Sequence, residues 1–174
     1  MTPIGHAAVS FLAARGLRLS LPALVIGGLA PDVDFVLLPF AGFNTWHRVL
    51  THNIFFVLVL AAALALFSGK NRGRYFAAAL IGGGLHLMID SMLDTNPSNG
   101  IGVAFLWPLF PAPMSLVNIA WRACPIGWSD IRQFVSCSWP VMLVELPFWL
   151  IAAALLLRRA PCSESPVDQC ADSH

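Results

Sequence analysis

YFAAALIGGGLHLMIDSMLD, residues 75–94, is the stretch whose reading decides the fold. Its length matches one membrane crossing, about 20 mostly apolar residues, yet it holds His86, Asp90 and Asp94. A backbone in lipid must satisfy every amide internally, so the stretch predicts a helix. His86 and Asp90, at i and i+4, then share one helix face. Gly82, Gly83 and Gly84 thin the helix just before that face and let a neighbour approach closely. An ionisable group in such a helix costs roughly 2.5–3.5 kcal/mol on insertion scales, so something must offset it. Two readings of His86 and Asp90 stand level: an imidazole and a carboxylate gripping one ion, or a hydrogen-bonded pair joining two helices.

The rest of the chain has the same character. Of its 174 residues 57% are hydrophobic and 11% charged, against about 25% charged in soluble domains. The net charge is +1, and no basic stripe with interleaved aromatics appears, which argues against a nucleic-acid partner. A weaker apolar segment runs from Pro3 to Leu19. Four stronger ones run from Leu21 to Phe40, Thr51 to Ser68, Tyr75 to Asp94 and Trp139 to Leu157. The predicted class is all-α: a polytopic helical bundle in the membrane, with about four transmembrane helices plus an N-terminal helix over residues 1–159. A disordered polar tail is expected at 160–174.

If the four spans alternate in direction, Arg15 and Arg18, then Lys70, Arg72 and Arg74, then Arg158 and Arg159 gather on one side. The positive-inside rule makes that side cytoplasmic. The loops 40–51 and 95–138 then face outward, to the periplasm in a bacterium. The long loop carries Trp107, Trp121 and Trp128, which suit the membrane–water boundary together with Trp139. The start of the chain lacks a basic n-region and a clean cleavage site, so the first apolar stretch is expected to be retained. The four cysteines show no close CxxC spacing. Cys124 and Cys137 read equally as a disulfide in an oxidising space or as free thiols.

Further ionisable residues sit in or beside apolar runs. Asp32 and Asp34 follow Pro31, which disfavours helix at Ala30 and removes a donor, so a break is expected there that turns both carboxylates inward. A capping aspartate would explain one of them. His47 and His52 bracket Arg48, with Thr51 as the expected N-cap of the next helix. The Arg48 guanidinium suits a phosphate; an interfacial Arg and a solvated His are the plainer readings. His6 lies about 13 Å above the cytoplasmic edge at 1.5 Å per residue, within reach of the others from below. Glu145 stands in the last span with no acid or base nearby in sequence, either bonded to a helix partner or protonated. Asp32, Asp34, His52, His86 and Asp90 all fall toward the outward ends of their spans. Imidazole and carboxylate at one level are the normal ligands of a divalent metal.

In order, Gly5-His6, Pro31-Asp32-Val33-Asp34, His47-Arg48-x-x-Thr51-His52, His86-x-x-x-Asp90 and Leu106-Trp107-Pro108 resemble the YdjM-like family of bacterial inner-membrane, metal-dependent hydrolases over roughly residues 1–110. The family often has Thr, Gly and Ser where Gly5, Val49 and Asn53 stand here. More distantly the order resembles zinc-dependent phospholipase C and its nuclease relatives, all-helical enzymes in which such residues bind a zinc cluster. The resemblance implies a multi-pass protein of the bacterial inner membrane. It also implies metal ligands at His6, Asp32, His47 or His52, His86 and Asp90.

The expectation that follows is a hydrolase with one or more divalent ions, zinc by preference, acting on a phospholipid or another lipid-linked phosphate at the outer leaflet. Asp34 is then a general base or bridging ligand and Arg48 a phosphate holder. A small metal-ion or proton transporter is the rival, since intramembrane His and Asp also mark ion pathways. A non-catalytic adaptor with a structural metal is the third reading.

Overall fold

The structure, a computed structural model, describes residues 1–37, 40, 43–94, 101–115, 117, 119 and 131–158. Cys124, Trp121, Trp128, the Cys137 side chain and the tail at 160–174 lie outside the described residues, and so do the disulfide and disorder expected of them. Helix α1 (Pro3–Leu17) is capped by Thr2, whose hydroxyl accepts the Gly5 amide, and ends at Arg18 in the left-handed conformation. Helix α2 (Leu21–Leu29) runs directly into 3-10 helix over Ala30–Leu37. The short α3 (Phe43–Trp46) precedes α4 (Ile54–Phe67). After a 3-10 turn at Gly69–Asn71 come α5 (Arg72–Met92) and α6 (Ile131–Leu157). Among the described residues there is no strand, only an isolated bridge between Val103 and Met114.

The all-helical expectation holds; the expected number of spans holds in part. Gly69–Met92 and Trp139–Leu157 are long and apolar enough to cross a membrane. The other two segments give shorter helices for local reasons. Pro31 stops α2 after nine residues, about 13 Å of rise. The helix expected from Thr51 begins only at Ile54 because its N-cap is Asn53, whose Oδ1 accepts the Phe56 amide at 2.9 Å. Thr51 instead donates its hydroxyl to the Pro31 carbonyl at 2.6 Å. That bond ties the segment before α4 to the break after α2.

Helix α5 is central. It packs against α2 on one side and α4 on the other, α2 packs on α1, and α1 on α6. Close approach of α2 and α5 depends on glycine. A methyl added at Gly82 would overlap the Leu24 carbonyl oxygen, and one at Gly27 would overlap that of Ala79. Gly83 faces Val57 of α4 in the same way, whereas Gly84 faces open space. The apolar core beside this crossing is Ala14, Ala23, Leu24 and Ala78. Arg74 donates to the Arg18 carbonyl at 2.8 Å, so the first two basic groups lie at one end of the bundle.

Candidate metal centre

The 3-10 turn after Pro31 buries Asp32 and Asp34 while Val33 between them stays 56% exposed. The break thus turns both carboxylates inward, as the proline predicts. His86 and Asp90 come from one face of α5, and His6 from the first turns of α1. His52 lies just before the Asn53 cap, and His47 just after α3. Between them Arg48 has φ +66, a left-handed conformation uncommon for a residue with a side chain. That bend brings both histidines to Asp34. All seven of His6, Asp32, Asp34, His47, His52, His86 and Asp90 are buried and adjacent.

Two groups of candidate ligands share His52: Asp32, His52, His86 and Asp90, and Asp34, His47 and His52. In the first, His86 Nε2 lies 3.1 Å from His52 Nε2. Asp90 Oδ2 is 3.5 Å from each of these nitrogens, and Asp32 Oδ1 is 3.6 and 3.7 Å from them. Ligands at 2.0–2.1 Å around a tetrahedral zinc stand about 3.3 Å apart, so these five separations lie near what such an ion requires.

Proton placement sharpens the point. His86 Nδ1 lies 2.8 Å from the Gly28 carbonyl oxygen, which can only accept. Nδ1 therefore carries the proton and the neutral ring has a bare Nε2. The Thr51 hydroxyl has given its proton to Pro31, so at 3.2 Å it accepts from His52 Nδ1, with Asp34 Oδ2 also 3.5 Å away. In a neutral His52 ring Nε2 is bare as well. With both rings neutral, two lone pairs face each other with two carboxylates behind them, and they repel. A proton on one nitrogen relieves some of those contacts; a cation among the four relieves all of them. Asp32 Oδ2, buried, has no hydrogen-bond partner among the described residues. This donor set fits a divalent ion.

His6 joins from α1: its Nε2 is 3.0 Å from Asp90 Oδ1, and its ring stacks on His86 with centroids 3.7 Å apart. The Met1 amino group also reaches Asp90 Oδ1, at 2.7 Å. In the second group His47 Nδ1 is 3.1 Å from both Asp34 oxygens, and the Arg48 amide donates to Oδ2 at 3.3 Å. Burial holds the His47 imidazole below its ordinary pKa, with Asp34 pulling the other way.

Two partners were not legible in the sequence. The Arg48 guanidinium pairs with Asp94, whose Oδ2 also accepts the Gly102 amide at 2.8 Å. Arg48 Nε is buried with no hydrogen-bond partner among the described residues. Glu145, fully buried on α6, accepts the Thr2 amide at 2.6 Å and the Thr2 hydroxyl at 2.5 Å, which gives it the helix partner of the first reading. It fixes the start of α1, four residues before His6. Glu145→Ala leaves both Thr2 donors without an acceptor and is expected to cost about 1–3 kcal/mol. Thermal unfolding in detergent reads this as a lower midpoint, with a smaller loss in Glu145→Gln.

An all-helical chain with a buried histidine–aspartate centre, built where a broken helix meets a glycine-packed one, defines a class of membrane protein with a candidate metal site. The chain belongs to the YdjM inner membrane protein family, whose model matches residues 1–161, and this places it in the inner membrane. It is 33% identical over 175 residues to the inner membrane protein YbcI of Escherichia coli (strain K12), covering 91% of this chain and 98% of that protein. No solved structure matches.

Proposed function

We propose that this protein is an integral-membrane, metal-dependent hydrolase that cleaves a phospholipid or another lipid-linked phosphate ester at the outer leaflet. The observation that carries the reading is the facing pair of Nε2 atoms of His52 and His86, set against Asp32 and Asp90 at ligand spacing. These four residues would hold the ion, and two imidazoles with two carboxylates suit zinc. A divalent ion there supplies Lewis-acid polarisation of a phosphoryl or acyl oxygen and acidifies water at neutral pH. The shorter apolar helices are read as further crossings, which makes residues 1–159 one multi-pass domain.

The chain's own groups divide the remaining work. His6 holds Asp90 from the second oxygen and braces the His86 ring. Arg48 offers the unpartnered Nε to an anionic phosphate while Asp94 holds the guanidinium in place. Asp34 keeps the His47–Arg48 bend closed over the centre.

The test is hydrolysis of phosphatidylethanolamine and phosphatidylglycerol vesicles by the purified, zinc-loaded protein. His86→Ala is expected to abolish head-group release. Arg48→Ala, which loses a charged hydrogen bond of about 1.5–3 kcal/mol, is expected to lower kcat/KM roughly ten- to a hundredfold. Zinc-loaded protein that moves metal into vesicles but releases no head group would contradict the reading and favour a transporter.

A further inference from the structure

We infer that Asp34 is a positioning residue, and that the Asp34–His47–His52 group is a hydrogen-bonded frame for the metal centre instead of a second ion site. The inference rests on the metal-centre reading above and concerns which residues serve it. His52 belongs to both groups of candidate ligands. A neutral imidazole has one bare nitrogen, so it can ligate one ion. The Asp32–His52–His86–Asp90 group claims that nitrogen, because Nε2 lies among its atoms.

Without His52 the second group keeps only Asp34 and His47. Structural zinc sites take four protein ligands and catalytic ones three, so two do not make a site. The Asp34 carboxylate also already faces three N–H groups: His47 Nδ1 at 3.1 Å, the Arg48 amide at 3.3 Å and His52 Nδ1 at 3.5 Å. The amide cannot become a ligand. A carboxylate accepting the far N–H of a ligating histidine fixes which ring nitrogen meets the ion and how the ring lies. Asp34 Oδ2, 3.5 Å from His52 Nδ1, does this for His52 beside the Thr51 hydroxyl at 3.2 Å, as the Gly28 carbonyl does for His86. One aspartate thereby supplies the charge that holds the His52 tautomer, anchors His47 and closes the strained bend at Arg48.

The experiment is a zinc titration of the full-length, chelator-stripped protein in detergent, with nitrogen-15 spectra of its histidines. In the wild type His52 is expected to show one protonated and one metal-bound nitrogen. Asp34→Ala is expected to weaken zinc binding roughly 10- to 100-fold, to mix the His52 tautomers, and to leave the number of ions per chain unchanged. Asp34→Asn, whose amide oxygen still accepts an N–H, is expected to recover most of the affinity. His47→Ala likewise keeps the ion count. An ion lost from either Asp34→Ala or His47→Ala would overturn the inference, as would unchanged affinity in Asp34→Ala. If that variant does not fold, a wild-type spectrum with His52 unprotonated at Nδ1 overturns it alone. Wild-type protein that binds no zinc defeats the metal-centre reading itself, a result distinct from all of these.

Discussion

Asp90→Ala is expected to strip the protein of bound metal and to cost about 3–5 kcal/mol of stability, the range for removing one partner from a buried charged group. Asp90 is where the centre is most densely connected. Oδ1 meets His6 and Oδ2 lies 3.5 Å from both His52 and His86. Alanine leaves three imidazoles in a buried space without the carboxylate they share, and α1 loses a tie to α5. Metal content by elemental analysis and thermal unfolding in detergent check the two halves separately. Asp90→Asn keeps a side chain of the same shape and is expected to retain more stability than alanine while still losing most of the metal. An Asp90→Ala protein as stable as the wild type would show that the carboxylate carries little of the packing.

Gly82→Leu is expected to prevent α2 and α5 from packing and to destabilise the protein by about 3 kcal/mol, the upper end for overpacking. The obstruction is the Leu24 carbonyl oxygen and the Gly28 amide, backbone atoms that cannot turn aside. Gly28 also supplies the carbonyl that fixes the His86 tautomer, so parting these helices disturbs the centre as well as the crossing. Gly84→Leu is the control: nothing lies within 4 Å of a Cβ there, and its stability is expected to stay near that of the wild type. Helical circular dichroism against temperature distinguishes the two. Equal midpoints for both variants would contradict the assigned crossing.

Sequence reading succeeded where cause and effect are close along the chain. The i, i+4 spacing puts His86 and Asp90 on one face, and Pro31 alone is enough to predict the break that turns Asp32 and Asp34 inward. The glycine run was legible as a place of close approach, but not which helix each glycine meets. Gly82 meets α2, Gly83 meets α4, and Gly84 meets neither. Hydropathy marked the apolar segments yet set the boundaries of the second and third too widely, because helix ends depend on hydrogen bonds that hydropathy does not see. The clearest instance is the cap at α4. Thr51 and Asn53 are both good capping residues, and the choice falls to Asn53 because the Pro31 carbonyl, distant in sequence, takes the Thr51 hydroxyl. Asp94 and Glu145 were visible as costly residues in apolar surroundings. Their partners, Arg48 and Thr2, come from other parts of the chain and follow only from the fold.

The two histidine nitrogens are the strongest chemical signal, and they too depend on tertiary contacts. Nothing in the sequence says that His86 gives its Nδ1 proton to Gly28, or that the Thr51 hydroxyl is spent on Pro31. Once both bonds are in place, the remaining nitrogens of the neutral rings face each other 3.1 Å apart. Buried polar groups without partners are costly, and Asp32 Oδ2 beside these nitrogens has none among the described residues.

Elemental analysis of wild-type protein purified without chelator, beside His86→Ala, tests this most directly. At least one divalent ion per folded chain is expected in the wild type and a near-complete loss in the variant, with helical content unchanged. A folded wild type that carries no divalent metal and takes up none on zinc titration would contradict the metal centre.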